Sequence, residues 1–576
     1  MPNKLLFILV LILALAAKAQ IPKEQVVEDM SVFPQEKVEL TINSIILLAG
    51  ELLLYKGFVL TNSNKPSELS KVLYVSLRNE EDSIIFSHKL KVENASAYGD
   101  FFIPSTLKTG IYRLIGYTNF SRNNDQNSFI QKTVTILNTF IKPENNNSIT
   151  DTLKFNRLNN NDLQLLTEKT SSEEFEIVTD KKTYGFREKV NFNVKKPLGS
   201  KEGNFVISVR KINPIEISGK LTHSKETNLP NTIYIPELRG EIISGVVLSK
   251  QDSKPAANKT ISLTIPGNNY IFKLATTNTH GRFFFSIPEA YSAQESFLQL
   301  NEHDNNREEF TVLLDKTEIS LRKEAPRFLK LDPNLKDWLQ GRSVQIQIEN
   351  AYFEIKKDSL LPIKPNLPFF ANLGTVFNLD DYTRFSTIRE TFIEVVTLAA
   401  IRGTGEDSKF LINNAYDPNR IAKFNNLPPL VLLDGMQILN NEYLINYNPR
   451  QITNIRVITE PYRYGPKIFS GIIAVETKKG DYLLPTSNTS VTEIELPPAV
   501  PQKYYYKPKY DSNLELTRIP DYRFQLFWQP EINFDNDIYS TSFYTSDVSG
   551  YFEITIEGFT IDGKFVSSKG YIEIED

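Results

Sequence analysis

Val72-Leu73-Tyr74-Val75-Ser76-Leu77, then Asn79 to Asp82, then Ile84 to Val92 is the stretch on which the fold class turns. The first six residues are mostly aliphatic, aromatic or β-branched, which suits a strand. The polar segment that follows is a turn, and Ile84 to Val92 returns as a second strand. Outward from this hairpin, residues 36–135 keep alternating between apolar and polar positions, with Gly99-Asp100 and Gly110 as further turn signals. That spacing predicts a β-sandwich. Within it, the apolar run Ile45 to Leu60 is broken by the charges Glu51 and Lys56. It reads as strands about a Gly50 turn, not as a membrane helix.

The same pattern recurs further along. Pro143 to Asn161 is polar and reads as a linker. From Phe175 to about Ile217 a second β-unit begins, where Val190, Phe192 and Val194 share one face and Asn191 and Asn193 the other. Residues 236–320 form a third unit, opened by Ile242-Ile243-Ser244-Gly245-Val246-Val247 and turning at Pro266-Gly267-Asn268-Asn269 and His280-Gly281. The pattern then changes. Asn334 to Tyr352 carries one or two helices. Thr387 and Glu390 form a capping box ahead of Phe392, Ile393 and Val396 at helical spacing. Leu430 to Met436 is a strand ending in an Asp434-Gly435 hairpin turn. With a short helix at Pro449 to Ile452 and strands at Ile455 to Thr459 and Gly471 to Thr477, this makes an α+β unit. Leu484 to Pro520 is a Pro- and Tyr-containing linker, and Asp562-Gly563 closes a terminal hairpin.

The totals bound the class. The chain has 576 residues, 40% hydrophobic and 23% charged, which is globular material divided among several cores. The net charge of −4 leaves no electrostatic footprint for nucleic acid. Lys4, the apolar Leu5 to Ala17 and the small-x-small Ala17-Lys18-Ala19 read as a secretory signal cleaved before Gln20. There is no cysteine, so disulfides and a lipid-anchored cysteine are both excluded, and each domain rests on its own core.

The order of units resembles a group of exported Bacteroidota proteins. Residues 36–135 resemble a second macroglobulin domain through Ala49-Gly50-Glu51, Ser70 to Val75, Gly99-Asp100-Phe101, Gly110-Ile111-Tyr112-Arg113 and Tyr117-Thr118-Asn119. Residues 175–211 resemble the macroglobulin-type domain that follows, through Thr179 to Gly185 and Val206 to Arg210. Gly240-Glu241-Ile242 and Gly281-Arg282-Phe283 resemble a carboxypeptidase-regulatory-like domain. Pro429 to Gly435, Ile452 to Val457 and Gly471 to Gly480, preceded by Asp381 to Phe385, resemble the plug domain of TonB-dependent receptors. A receptor of that kind needs a barrel of about 22 strands, and only residues 483–576 follow here. The expectation is a plug-like unit without a pore. Protease trapping of the thioester type needs a cysteine that this sequence lacks.

The expected division is a signal peptide (1–19), a macroglobulin-type sandwich (20–140), a linker with a second such domain (141–230) and a regulatory-like sandwich (231–325). A helical connector (326–374), the plug-like α+β domain (375–483), a Pro/Tyr linker (484–517) and a C-terminal Ig-like domain (518–576) complete it. The fold class is mainly β.

No residue set marks catalysis, and the reading assigns no catalytic, cofactor-binding or metal-binding residue. His88, His223, His280 and His303 lack metal-ligand spacing. No nucleophile elbow, phosphate loop or dinucleotide fingerprint occurs, and Arg402-Gly403-Thr404-Gly405 is a turn. The acidic clusters Asp380-Asp381 and Asp535-Asn536-Asp537 read as a helix cap and a hydrated turn, against calcium sites. Lys503-Tyr504-Tyr505-Tyr506-Lys507-Pro508-Lys509-Tyr510 reads either as a docking segment or as a linker packed across its own neighbours. Asp82-Ser83-Ile84, Asp151-Thr152-Leu153 and Asp358-Ser359-Leu360 match a short glycosylation sequon of the same bacterial group. The expected function is a non-enzymatic envelope protein, without cofactor. It is an accessory or scaffold subunit of an outer-membrane transport, secretion or barrel-assembly complex, partnered by a β-barrel protein or its subunits and carrying no transmembrane segment of its own. The alternative is a glycan- or peptide-binding protein. The face of the outer membrane is left open.

Overall fold

A computed structural model describes residues 35–123, 130–142, 150–155, 175–197, 199–218, 234–267, 270–301, 309–321, 323, 328–362, 365–413, 427–485, 491–511, 516–534 and 537–576. The signal-peptide reading, His223, His303 and Asp535-Asn536 lie outside these residues. The mainly β class holds: strands far outnumber helices among the described residues and form small sheets that pair into sandwiches.

The first sandwich sets strands Glu36–Ile42, Leu52–Thr61 and Ser96–Phe102 against a five-stranded sheet. That second sheet runs Ile46–Leu48, Ile130–Leu137, Gly110–Tyr117, Val72–Arg78, Ile84–Lys91. Strand Val72–Arg78 is buried along its whole length. Leu73, Val75 and Leu77 enter the sandwich core, while Val72 and Tyr74 are covered by Ile319 and Leu321.

The second sandwich corrects the expected division. Residues 141–230 and 518–576 do not make two domains. Lys189–Lys195 pairs along its full length with Ile538–Tyr544. Gly203–Lys211 lies between Gly550–Thr560 and Gln525–Gln529. One core holds Val190, Phe192, Val194, Phe205 and Ile207 together with Phe527, Ile554, Ile556 and Ile572. Each such buried side chain contributes about 1.5–3 kcal/mol, and neither half could bury them alone. Alternation identifies a strand but not its partner, so pairing across several hundred residues leaves no local signal.

The third sandwich pairs the sheet Arg282–Ile287, Glu241–Ser249, Phe310–Leu314 with Ile271–Thr276, Thr260–Ile265, Glu295–Leu300, Val491–Glu495. Its last strand comes from the expected linker 484–517. Ile494 and Leu496 complete this core, so that stretch is partly structural. The connector 326–374 likewise begins with a strand, Phe328–Leu331, in a sheet with Thr150–Phe155 and Ile215–Ser218. Helix Lys336–Ala351 follows and lays Leu339 and Ile346 on Ile46, Leu48 and Leu153.

The α+β unit has the mixed sheet Thr375–Asn378, Ile452–Ile458, Ile472–Thr477, Leu430–Leu433, Met436–Gln437. Helix Ile388–Glu394 starts at the Thr387/Glu390 capping box, with both reciprocal bonds formed. At the hairpin, Asp434 and Gly435 both take positive φ (48° and 83°), as a type I′ turn requires. The Asp434 carboxylate accepts from the Thr477 N–H (2.8 Å), the Thr477 hydroxyl (2.6 Å) and the Tyr482 N–H (3.1 Å). Gly435 also lets the third sandwich dock: a Cβ there would stand 2.2 Å from the Tyr270 ring. Gly435→Ala is therefore expected to cost about 2 kcal/mol or more. Limited proteolysis should then release the 375–483 unit, whereas Gly341→Ala, which meets open space, leaves the cleavage pattern unchanged.

Candidate functional site

The joint between the first and second sandwiches is built on the two charges that interrupt the Ile45–Leu60 run. Both are buried, Glu51 at 7% and Lys56 at 1% exposure. Gly50, at φ +91°, brings the chain so close to helix Lys336–Ala351 that a Cβ would lie 2.6 Å from Ile346. Asn350 donates to the Gly50 carbonyl at 3.1 Å. This turn delivers Glu51 between two guanidiniums. Its carboxylate accepts from Arg342 Nη2 at 2.7 Å, from Arg210 Nη2 at 3.2 Å and from the Leu48 N–H at 2.9 Å. Burial opposes its charge, but the two arginines and the backbone bond outweigh it and hold its pKa below the usual carboxylate value. Arg342 also lies 3.3 Å over the Phe524 ring and donates to the Tyr522 carbonyl at 3.0 Å.

Lys56 joins the same two sandwiches without a carboxylate at its tip. Its ammonium donates to the carbonyls of Phe205 (3.1 Å) and Pro530 (2.5 Å). Burial lowers its pKa to about 7.

Above this floor opens a cleft of about 810 Å³. Its walls come from four elements: the first sandwich (Leu52, Leu54), helix Lys336–Ala351, the 503–506 stretch and strand Gln525–Gln529. Phe102, Phe353 and Leu360 stand at its mouth with 49%, 56% and 67% exposure. The ionic groups around it are committed to bracing. Lys503 bonds Asp100 and Asp358 at 2.8 Å each. Lys356 bonds Glu349 at 2.8 Å and the Pro520 carbonyl at 2.9 Å. Arg523 grips Asp521 with two bonds of 2.7 Å.

The Lys/Tyr stretch 503–510 is thereby placed as a segment packed across its own neighbours. Tyr505 donates to Asp100 and Tyr510 to Asp521, while Tyr504 is exposed. Apart from Asp358 and Leu360 of one sequon, the other residues singled out in the sequence do not converge on the cleft. His88 shares a bond of 2.6 Å with the Tyr55 hydroxyl, and burial lowers its pKa to about 4, so its ring is neutral. His280 lies in an exposed turn. Asp380 pairs with Arg384 and Asp537 with Lys196. Among the described residues no group of three or more metal-ligating side chains is assembled. Of the sequons, Ser83 and Ser359 are exposed, and Asp358 of the third sits at the cleft wall. Glu51, Arg210 and Arg342 were not legible as a unit in the sequence. Glu51, a charge inside an apolar run, was the available signal; Arg342 lies in a polar helix and offered none.

No family model matches the chain, and no curated protein matches it. Solved structures similar to it include trypsin-activated alpha-2-macroglobulin from Escherichia coli, at 8% identity over 94% of this chain and 42% of that one, with a TM-score of 0.24. Methylamine-reacted alpha-2-macroglobulin from Salmonella matches at 9% identity over 94% and 39%, TM-score 0.23. The adhesin InvE of Yersinia pseudotuberculosis matches at 10% identity over 48% and 57%, TM-score 0.12. The chain spans about two fifths of the length of these macroglobulins. No described helix is long and apolar enough to cross a membrane.

Proposed function

We propose that this chain is a non-enzymatic cell-envelope protein that acts as an accessory or scaffold subunit of an outer-membrane transport, secretion or barrel-assembly complex, its partner seated at the cleft. One observation carries the reading. The charges around the cleft are spent on holding sandwiches, helix and linker together, while Phe102, Phe353 and Leu360 are left open to water. A braced frame with an unpartnered apolar mouth suits binding. The α+β unit supports the outer-membrane part through its resemblance to receptor plug domains.

The volume also falls in the range of small-ligand pockets, which favours the second reading, a periplasmic or surface ligand-binding protein. Affinity purification from native envelopes separates them. The expected result is recovery with an outer-membrane β-barrel protein, reduced about tenfold or more by the paired exposed-site variant Phe353→Glu/Leu360→Glu. Recovery of the wild type only as a free monomer would overturn the proposal.

A further inference from the structure

We propose that the cleft takes an extended, uncharged, apolar segment of a partner polypeptide, laid along the open side of strand Gln525–Gln529. This rests on reading the cleft as the partner-binding site and names what that site accepts.

Charge matching comes first. Glu51 is held by Arg210 and Arg342, Lys503 by Asp100 and Asp358, Lys356 by Glu349, Arg523 by Asp521 and Lys357 by Glu354. Apart from the exposed Lys357–Glu354 pair, a charged occupant would have to compete with one of these pairs in a desolvated site, which is costly. An uncharged one leaves them intact. Leu52, Leu54, Phe524, Leu526 and Phe527 offer it apolar contact, and its binding would cover the exposed mouth.

The sheet edge selects a polypeptide over an acyl chain. Among the described residues, Gln525–Gln529 is the outer strand of its five-stranded sheet and pairs on one side only, with Gly203–Lys211. Residues 525–528 all line the cleft; the Leu526 carbonyl already accepts from Arg523 Nη1 at 3.2 Å, so an added strand would use the remaining backbone groups of this edge. An outer strand presents backbone donors and acceptors that an added strand satisfies, with alternate side chains filling pockets. An acyl chain uses none of these groups.

The test uses the full chain and a phage library of random decapeptides, with selected peptides resynthesised and titrated by fluorescence. The expected peptides lack charge and are rich in Val, Ile, Phe and Tyr. Their affinity should fall about tenfold or more with Phe353→Glu/Leu360→Glu, and by a similar factor when alternate backbone nitrogens of the peptide are methylated. Palmitate should not displace them. Selection of charged peptides, indifference to methylation, displacement by palmitate, or no enrichment over the double variant would each overturn the proposal. If peptides fail while an envelope partner still co-purifies through the cleft, the binding reading stands and this inference falls. Peptide binding without any barrel partner sinks the outer-membrane reading alone.

Discussion

Glu51→Ala is expected to destabilise the joint between the first two sandwiches by about 3–5 kcal/mol. The change removes the one carboxylate between Arg210 and Arg342, which are 8% and 6% exposed. Two like charges would then remain buried without a bonded carboxylate, because Glu349, which also acts on Arg342, is held by Lys356. The Arg210 and Arg342 Nε atoms already have no hydrogen-bond partner, so there is no spare bond to offset the loss. The measurement is convenient because the chain has two tryptophans. Trp338 lies on the helix that carries Arg342, and Trp528 lines the cleft. Fluorescence-detected urea unfolding should therefore show the joint's transition moving to lower denaturant. Replacing all three members by apolar residues of similar volume, Glu51→Leu/Arg210→Met/Arg342→Met, should leave the midpoint close to wild type or higher, because no buried charge is then left alone. Equal losses in the single and triple variants would contradict this account of the joint.

A second large effect is expected where the first sandwich meets the third. Glu237 is fully buried. It accepts the Tyr74 hydroxyl at 3.1 Å and the Ile242 N–H at 2.9 Å. The groups facing it are Tyr74, Lys89 and a second carboxylate, Glu241, which is itself bonded by Lys89 at 2.7 Å and by Tyr291 at 2.6 Å. Burial, aided by Glu241, pushes the Glu237 pKa up to about 8, although the backbone bond, Tyr74 and Lys89 act the other way. The folded value thus lies above the unfolded one. Between about pH 4.5 and pH 8 the folded chain keeps a proton that the unfolded chain has released. Stability is highest below this window, falls as pH rises through it, and carries the full penalty above about pH 8. At about 1.4 kcal/mol per pH unit, the loss is on the order of 5 kcal/mol. Lys56 acts in the opposite sense above about pH 7, because its lowered pKa makes the folded chain prefer the neutral amine. The contribution of Glu237 is isolated by comparing wild type with Glu237→Gln, which keeps an acceptor for Tyr74 and Ile242. Calorimetry at pH 5, 7 and 9 should show the variant gaining on the wild type at each step. Parallel pH profiles would contradict it.

Local chemistry made part of this fold legible. Asp434-Gly435 announced its turn because only a few residues tolerate two successive positive φ values. The Thr387/Glu390 box announced its helix because reciprocal capping needs those types at that spacing. Val190, Phe192 and Val194 alternate because one face is buried. What stayed hidden was partnership. Glu51 and Arg210 are 159 positions apart, and Glu51 and Arg342 are 291 apart. Arg210 and Arg342 in isolation look like solvated side chains. The strand Val491–Glu495 lies in a stretch whose prolines and tyrosines suggest a linker, yet tertiary burial of Ile494 and Leu496 recruits it into a sheet. The cleft is a product of such long-range pairings and has no sequence motif of its own.

Cross-linking from within the cleft tests whether a partner from the outer membrane seats there. A photo-reactive residue replaces exposed Leu360 in one version of the chain and exposed Lys201, outside the cleft lining, in another. The expected result is an adduct from position 360 with a subunit of an outer-membrane β-barrel complex, lost when Phe353→Glu is added and absent from position 201. A chain that gives no adduct from position 360 beyond that from position 201, and that leaves the envelope as a free monomer, contradicts it.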